Sequence, residues 1–222
     1  MKQILIDKNI LRNNDEIAHK NRQILKEKGI LSINMLGSPG SGKTSILEKI
    51  IKYLKDNVNM AVIEGDLYTT KDAERIEKYN IDVVQINTVG ACHLDAAMID
   101  KALEGMDMNS LEFLVIENVG NLVCPAAYDL SEDMKITVMS VTEGNDKPLK
   151  YPSMFQRSKA VILNKTDIIE YTDFNIHEFY KDIKSLNGNI KVFETSCTKE
   201  KGIKELCCYL EKEINLKRRK KQ

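Results

Sequence analysis

Apolar and polar positions follow two rhythms along this chain, and the rhythms alternate. Short, mostly apolar runs fall at residues 30–36, 59–64, 82–86, 111–117, 136–142, 159–163 and 190–195. Runs such as Phe113-Leu114-Val115-Ile116 and Ile136-Thr137-Val138-Met139 show little polar alternation, which predicts strands covered on both faces. Between the runs, apolar residues recur at helical spacing, as at Ile46, Leu47, Ile50, Ile51 and Leu54 within 44–55. The same spacing predicts helices over 70–79, 94–104, 147–156, 175–186 and 202–216. Such alternation predicts an α/β fold with a doubly wound, mostly parallel sheet. Upstream, Ile10, Leu11, Ile17, Ala18, Ile24 and Leu25 predict an amphipathic helix ending at Gly29.

Two strand ends carry recognisable chemistry. Gly37-Ser38-Pro39-Gly40-Ser41-Gly42-Lys43-Thr44 is a complete phosphate-binding loop, with an apolar strand before it and the helix over 44–55 after it, and Ser45 is counted with it as nucleotide-binding. Its glycines let backbone N–H groups turn inward around a phosphate, and the helix N-terminus adds free N–H groups. Lys43 is expected to reach the β- and γ-phosphates and the Thr44 hydroxyl to hold Mg²⁺. Asn164-Lys165-Thr166-Asp167 follows the run 159–163, at the strand's carboxyl end, where ligands bind in open α/β sheets. Asp167 can accept from the guanine N1–H and exocyclic amine, a donor pair that adenine lacks. Thr195-Ser196-Cys197 follows the next strand and resembles the short G-protein loop whose backbone touches the guanine oxygen; an ordinary strand-to-helix turn is the other reading. The expected ligands are GTP and GDP. Glu117 ends the strand 111–117 and Asp66 follows Val62-Ile63-Glu64-Gly65. Either can serve a Mg²⁺ shell, with Asp66 placed to orient its water or the attacking water, or can act as a turn or capping acid. The chain thus divides into an N-terminal helical segment (1–29), a GTPase domain of the P-loop type (30–216) and a basic tail (217–222).

Composition narrows the partners. At 222 residues the chain is one domain with small appendages; 42% of residues are hydrophobic and 30% charged. The formal net charge is zero, so no global field favours nucleic acid. The basic run Lys217–Lys221 is expected to be a solvated, frayed tail. No apolar stretch reaches membrane-spanning length and no signal peptide is recognised, so a cytoplasmic protein without a membrane partner is expected. In that compartment the five cysteines are expected as thiols or metal ligands.

Cys92-His93 follows the strand 82–86, and Cys124 follows the strand 111–117. Both segments leave the carboxyl edge of the sheet, on the nucleotide side. Together they offer three soft and borderline ligands that suit Ni²⁺ or Zn²⁺ and leave one position open, or call for a second copy. Spacing alone, without a Cys-x-x-Cys pair, favours the alternative of small buried cysteines and a helix-start histidine. Cys207 and Cys208 are expected in the core, and His19 and His177 on the surface.

One set of segments carries a specific resemblance: the phosphate loop, Glu64-Gly65-Asp66 with Asp72-Ala73-Glu74-Arg75-Ile76, Gly90-Ala91-Cys92-His93-Leu94-Asp95, Glu117-Asn118-Val119-Gly120-Asn121-Leu122-Val123-Cys124-Pro125, residues 143–152 from Glu143 to Pro152, and Asn164–Asp167. To about residue 215 the chain resembles the HypB family, the nickel-incorporation GTPases of NiFe-hydrogenase maturation. The resemblance implies a slow GTPase that forms a GTP-dependent homodimer, with Cys92, His93 and Cys124 as a metal site at the interface. A partner metallochaperone and the hydrogenase large-subunit precursor are the further partners implied. Neither the N-terminal cysteine motif nor the histidine-rich stretch of some members occurs here. The urease accessory GTPases are similar but carry a Cys-Pro-His motif, which Cys92-His93 lacks. A GTP switch with purely structural cysteines is the remaining alternative.

Overall fold

The computed structural model describes the backbone of residues 7–220 and the side chains from Leu11 onward. Seven strands form one sheet: β1 (Leu31–Leu36), β2 (Met60–Asp66), β3 (Asp82–Asn87), β4 (Phe113–Glu117), β5 (Met134–Ser140), β6 (Ser158–Asn164) and β7 (Lys191–Glu194), in the order β3-β2-β4-β1-β5-β6-β7. Every strand pair is parallel. Parallel neighbours need crossovers, and helices supply them: α1 (Asp7–Lys28), α2 (Lys43–Leu54), α3 (Lys71–Glu77), α4 (Ala96–Glu104), the single turn α5 (Cys124–Ala127), α6 (Lys147–Lys150), α7 (Pro152–Arg157), α8 (Ile176–Leu186) and α9 (Ile203–Arg219).

Alternate strand residues divide the core between two faces. Ile33, Met35, Val62, Phe113 and Val115 pack with α2 and α9, while Ala61, Ile63, Leu114 and Ile116 pack with Leu25 of α1 and with α4. A third cluster joins Leu36 and Met139 to α7 and α8. Burying Phe113, Ile33 and Ile46 completely contributes about 1.5–3 kcal/mol each. Because all strands run the same way, the loops after β1, β2, β3, β4 and β6 emerge at one edge, and that edge carries the chemistry.

Three expectations need correction. The helix expected over 147–156 is two short ones, α6 and α7, parted at Tyr151 (φ −127, ψ 54). Pro152 supplies the reason: it disfavours helical geometry in the residue before it and lacks the N–H a continuing helix would use. The basic run does not fray from Lys217. Lys217, Arg218 and Arg219 complete α9; Lys217 pairs with Asp133 and Arg218 with Glu112, so acids at the foot of the sheet hold the last turn. Cys207 is buried, but Cys208 is exposed beside the Tyr53 hydroxyl. In α1, Ala18 and Leu25 are buried as expected, and Asn14 and Asn21, on the same seam, are buried too. Ile10 lies outside the described side chains. His19 and His177 are exposed.

Candidate functional site

The phosphate loop connects β1 to α2, and its bends are ones that only glycine accepts. Gly42 caps α2 at φ 96, and a Cβ there would meet the Asn164 amide nitrogen at 2.3 Å. Gly37 sits at φ 155, and its Cβ would strike the Val138 carbonyl at 2.3 Å. The segment Asn164–Asp167 is bonded to this loop directly: Asn164 Nδ2 donates to the Ser41 carbonyl (3.1 Å) and Lys165 Nζ to the Gly40 carbonyl (2.8 Å). On its other side Asn164 Oδ1 accepts from the Thr195 hydroxyl (3.3 Å) and lies 3.8 Å from Cys197 Sγ. The sequence strings 37–44, 164–167 and 195–197 are therefore one structure. Asp167 is exposed and accepts from the Thr198 hydroxyl at 2.9 Å. Hydrogen bonds from Ser196 and Thr198 hold its carboxylate below the ordinary range.

Charge gathers at the floor of a cavity of about 450 Å³ lined by Lys43, Thr44, Glu64, Asp66, Asp72 and Glu117, among others. The Thr44 hydroxyl donates to Glu117 Oε1 at 2.8 Å. Glu117 and Glu64 sit opposite each other on β4 and β2, both buried. Burial pushes Glu117 up to about 7, against the pull of Lys43; burial and the neighbouring Glu117 push Glu64 up to about 8. Burial also lowers Lys43, opposed by Glu117. Asp66 accepts from the Tyr68 N–H (2.9 Å), the Thr69 N–H (3.2 Å) and the Thr69 hydroxyl (3.2 Å). Burial alone would raise it; these bonds bring it below its usual value. Ligand atoms of Glu64, Asp66 and Asp72 lie within 4.8 Å of one another.

Several residues here were not singled out for a role in the sequence. Arg75 of α3 pairs with Glu48 and Asp72 and donates to the Ser45 hydroxyl at 3.2 Å. Glu143 takes the Ser38 hydroxyl while closing a capping box with Ser140. Glu64 was legible only as part of the segment that ends in Asp66. A buried acid one turn of pleat away from a candidate ligand was the available signal.

The second cluster stands beside this cavity. Cys92, His93 and Cys124 present ligand atoms within 4.8 Å of one another, all half-buried. The loop after β3 is a tight turn: Val89 (φ 50) and Gly90 (φ 99) are left-handed, and the Thr88 hydroxyl donates to the Ala91 carbonyl at 2.7 Å. The His93 ring stacks on Tyr128 with centroids 3.9 Å apart. Burial holds His93 below its usual value, opposed by the Asp95 charge, which favours the neutral ring that can ligate. Cys124 is pushed up, first by its hydrogen bond with Cys92 and then by burial. The two clusters share backbone. Asn118, next to Glu117, accepts the Leu94 N–H at 3.3 Å, and the Asn121 N–H donates to the Gly37 carbonyl at 3.1 Å. Among the described residues no helix is long and apolar enough to cross a membrane.

Known proteins resemble this chain in sequence and fold. A family model described as "CobW/HypB/UreG, nucleotide-binding domain" matches residues 31–194. A HypB hydrogenase maturation factor from Rhizobium leguminosarum is 44% identical over 94% of this chain and 70% of its own length. One from Helicobacter hepaticus, named a hydrogenase/urease maturation factor, is 42% identical over 95% of this chain and 88% of its own. The crystal structure of Helicobacter pylori HypB in complex with nickel superposes with a TM-score of 0.87 at 37% identity, covering 91% of this chain and 95% of that one. Archaeoglobus fulgidus HypB superposes at 0.86 with 34% identity, covering 92% and 100%. With the phosphate loop, the sheet order and these relatives in agreement, the chain belongs to the HypB family of hydrogenase maturation factors, P-loop proteins that hydrolyse nucleotide.

Proposed function

We propose that this chain is a cytoplasmic GTP-hydrolysing metallochaperone that inserts nickel into the large-subunit precursor of a NiFe hydrogenase. It works as a homodimer, formed with GTP, whose interface carries the metal. The observation that carries the reading is the approach of Cys92, His93 and Cys124 to within 4.8 Å beside the phosphate loop. Two thiols and an imidazole suit Ni²⁺, and also Zn²⁺, and three ligands leave a position for a partner copy or for transfer. Val89 and Val123 flank the cluster, 82% and 62% exposed. A branched residue held left-handed with its side chain in solvent suits a surface that a second copy covers.

On the nucleotide side, Gly37 to Ser45 cradles the phosphates, Asn164, Lys165 and Asp167 read guanine, and the backbone at Ser196 and Cys197 touches the guanine oxygen. Thr44, Asp66 and Glu117 would hold Mg²⁺. Glu64 Oε2 and Glu117 Oε2 are buried without hydrogen-bond partners, which suits a cation nearby. When bound, Mg²⁺ neutralises charge on the β- and γ-phosphates. Lys43 places its ammonium against the γ-phosphate, and Asp66, held by two N–H groups, orients the attacking water. Turnover is slow, because Arg75, the one arginine lining the cavity among the described residues, is engaged by Glu48 and Asp72. The Asn118–Leu94 and Asn121–Gly37 bonds give phosphate occupancy a short path to the metal loops. A partner metallochaperone supplies or takes the ion.

Equilibrium dialysis with Ni²⁺ and Zn²⁺, with and without a non-hydrolysable GTP analogue, tests this together with a mass measurement. One metal per chain or per dimer, with metal and analogue each promoting dimerisation, is expected. Equal dimerisation under all conditions would overturn the coupling. A second reading, delivery to urease as well, is favoured by the joint name of the Helicobacter hepaticus relative. Nickel transfer to hydrogenase precursor and to apo-urease, side by side, separates the two.

A further inference from the structure

The seam of α1 contains two buried asparagines where an amphipathic helix ordinarily places apolar residues. Asn14, Ala18, Asn21 and Leu25 lie on one stripe, at spacings of four, three and four. Burying an amide is costly unless its donors and acceptor are matched. Asn14, 5% exposed, matches both ends of its amide. Its Oδ1 accepts the Ala96 N–H at 2.8 Å, and its Nδ2 donates to the Asp129 carbonyl at 2.9 Å. The assignment is self-consistent, since a flipped amide would put NH₂ against N–H and oxygen against carbonyl. Asn21 and Arg22 reinforce the same two places. Asn21 Nδ2 donates to the Ala96 carbonyl at 3.1 Å, and Arg22 pairs with the Asp129 carboxylate.

These two places are the distal ends of the two cysteine-bearing loops. Ala96 opens α4, three residues after His93. Asp129 adjoins Tyr128, whose ring stacks on His93, and lies five residues after Cys124. One side chain therefore spans the loop carrying Cys92 and His93 and the loop carrying Cys124. Mere docking of α1 does not require this. Lys20–Asp100 also joins α1 to α4, yet touches neither loop.

We propose that Asn14 is a positioning residue for the cysteine–histidine site: α1 is a strap, and the Asn14 amide sets the separation of the two ligand-bearing loops. This rests on the metal-binding reading given above. Leucine at 14 keeps the volume and removes both hydrogen bonds. Aspartate keeps the acceptor for the Ala96 N–H and removes the donor to Asp129.

The test uses the full chain, titrated with Ni²⁺ while the thiolate-to-nickel charge-transfer absorbance is followed, with GDP affinity and thermal midpoint measured in parallel. Asn14→Leu is expected to weaken nickel binding about tenfold or more and to change the charge-transfer band, the scale seen when support around a ligand is removed. Asn14→Asp, which sets a carboxylate oxygen against the Asp129 carbonyl, is expected to weaken it as well. Lys20→Met should leave affinity and band as in the parent, and GDP affinity should hold throughout. If Cys92→Ala binds nickel like the parent, the metal reading falls and the strap with it. If Cys92→Ala loses nickel while both Asn14 variants keep the parent affinity and band, the strap alone falls. Should Asn14→Leu fail to fold, Asn14→Asp decides: parent-like affinity and band overturn the proposal, weakened binding upholds it.

Discussion

The phosphate loop and the cysteine–histidine loops leave the same edge of one sheet, yet they are held by different means. The phosphate loop is shaped by its own backbone, with the Asn164 and Lys165 side chains donating to its carbonyls. Its glycines fit against Val138 and Asn164, Ser41 is fully buried, and Lys43 and Thr44 are nearly so. The cysteine–histidine loops present three half-buried side chains: Cys92 and His93 follow β3, an edge strand whose residues are at most half-buried, and Cys124 opens α5 after β4. Their placement depends on second residues from elsewhere: Asn118, Tyr128 and Asn14. A phosphate site is made of N–H groups that any glycine-rich turn can aim. A thiolate–imidazole site is made of side chains from two loops and needs those loops held apart at a set distance.

This contrast can be broken most sharply on the phosphate side. Lys43→Ala should lower hydrolysis by about 10²–10³, the scale for removing one charge-stabilising group. Triphosphate should lose more affinity than diphosphate, while nickel affinity without nucleotide stays as it was; loss of both by dialysis would show that the two regions are not held independently. Asp167→Asn should shift preference from GTP toward the xanthine nucleotide by about 10²-fold, since the amide donates where the carboxylate accepted. Competition binding with both triphosphates would show an unchanged ratio if Asp167 did not read the base. On the metal side, Cys92→Ala, His93→Ala and Cys124→Ala should each weaken nickel and zinc binding by about 10–100-fold, with GTP binding intact. Affinity should also climb with pH across the neutral range. The Cys124 thiol is pushed up and must lose its proton to ligate, while burial holds His93 below its usual value. A flat pH profile would point to ligands other than thiolates.

The same contrast explains what could be read from the chain. The phosphate loop is contiguous, so its residue spacing is its geometry. Strands buried on both faces announce themselves as unbroken apolar runs, and the seven observed strands fall on the seven runs, β5 beginning two residues early. The Cys92, His93 and Cys124 cluster spans loops from two strands, and spacing left structural and ligating roles open; the sheet order, which sets β2 between β3 and β4, was needed to bring them together. Asn14 and Asn21 were invisible because an apolar pattern does not count asparagines that carry a backbone bond in the core. Pro152 did carry a signal for the break at Tyr151, overridden by the helical spacing of its neighbours.

The smallest effect tests the strap's outer tie. Arg22 and Asp129 join α1 to the end of the Cys124 loop, each a little over a third exposed, so solvent screens the pair. Burial alone would raise Asp129, but hydrogen bonds from Arg22 and the Ser131 N–H, with the Arg22 charge, bring it below its ordinary value. A carboxyl depressed in the folded state stabilises above its unfolded pKa, about 3.9, and that stability is lost as pH falls through the lower folded value. Arg22→Met keeps most of the stem and removes the charge. It should cost about 0.5–1 kcal/mol at neutral pH, and parent and variant should converge as the solution is acidified below the ordinary carboxylate range. Thermal melts across pH 3–7 measure the gap. A gap that persists at the acid end would assign the loss to packing of the arginine stem, not to its charge, and would leave Asn14 as the side chain that spans both loops.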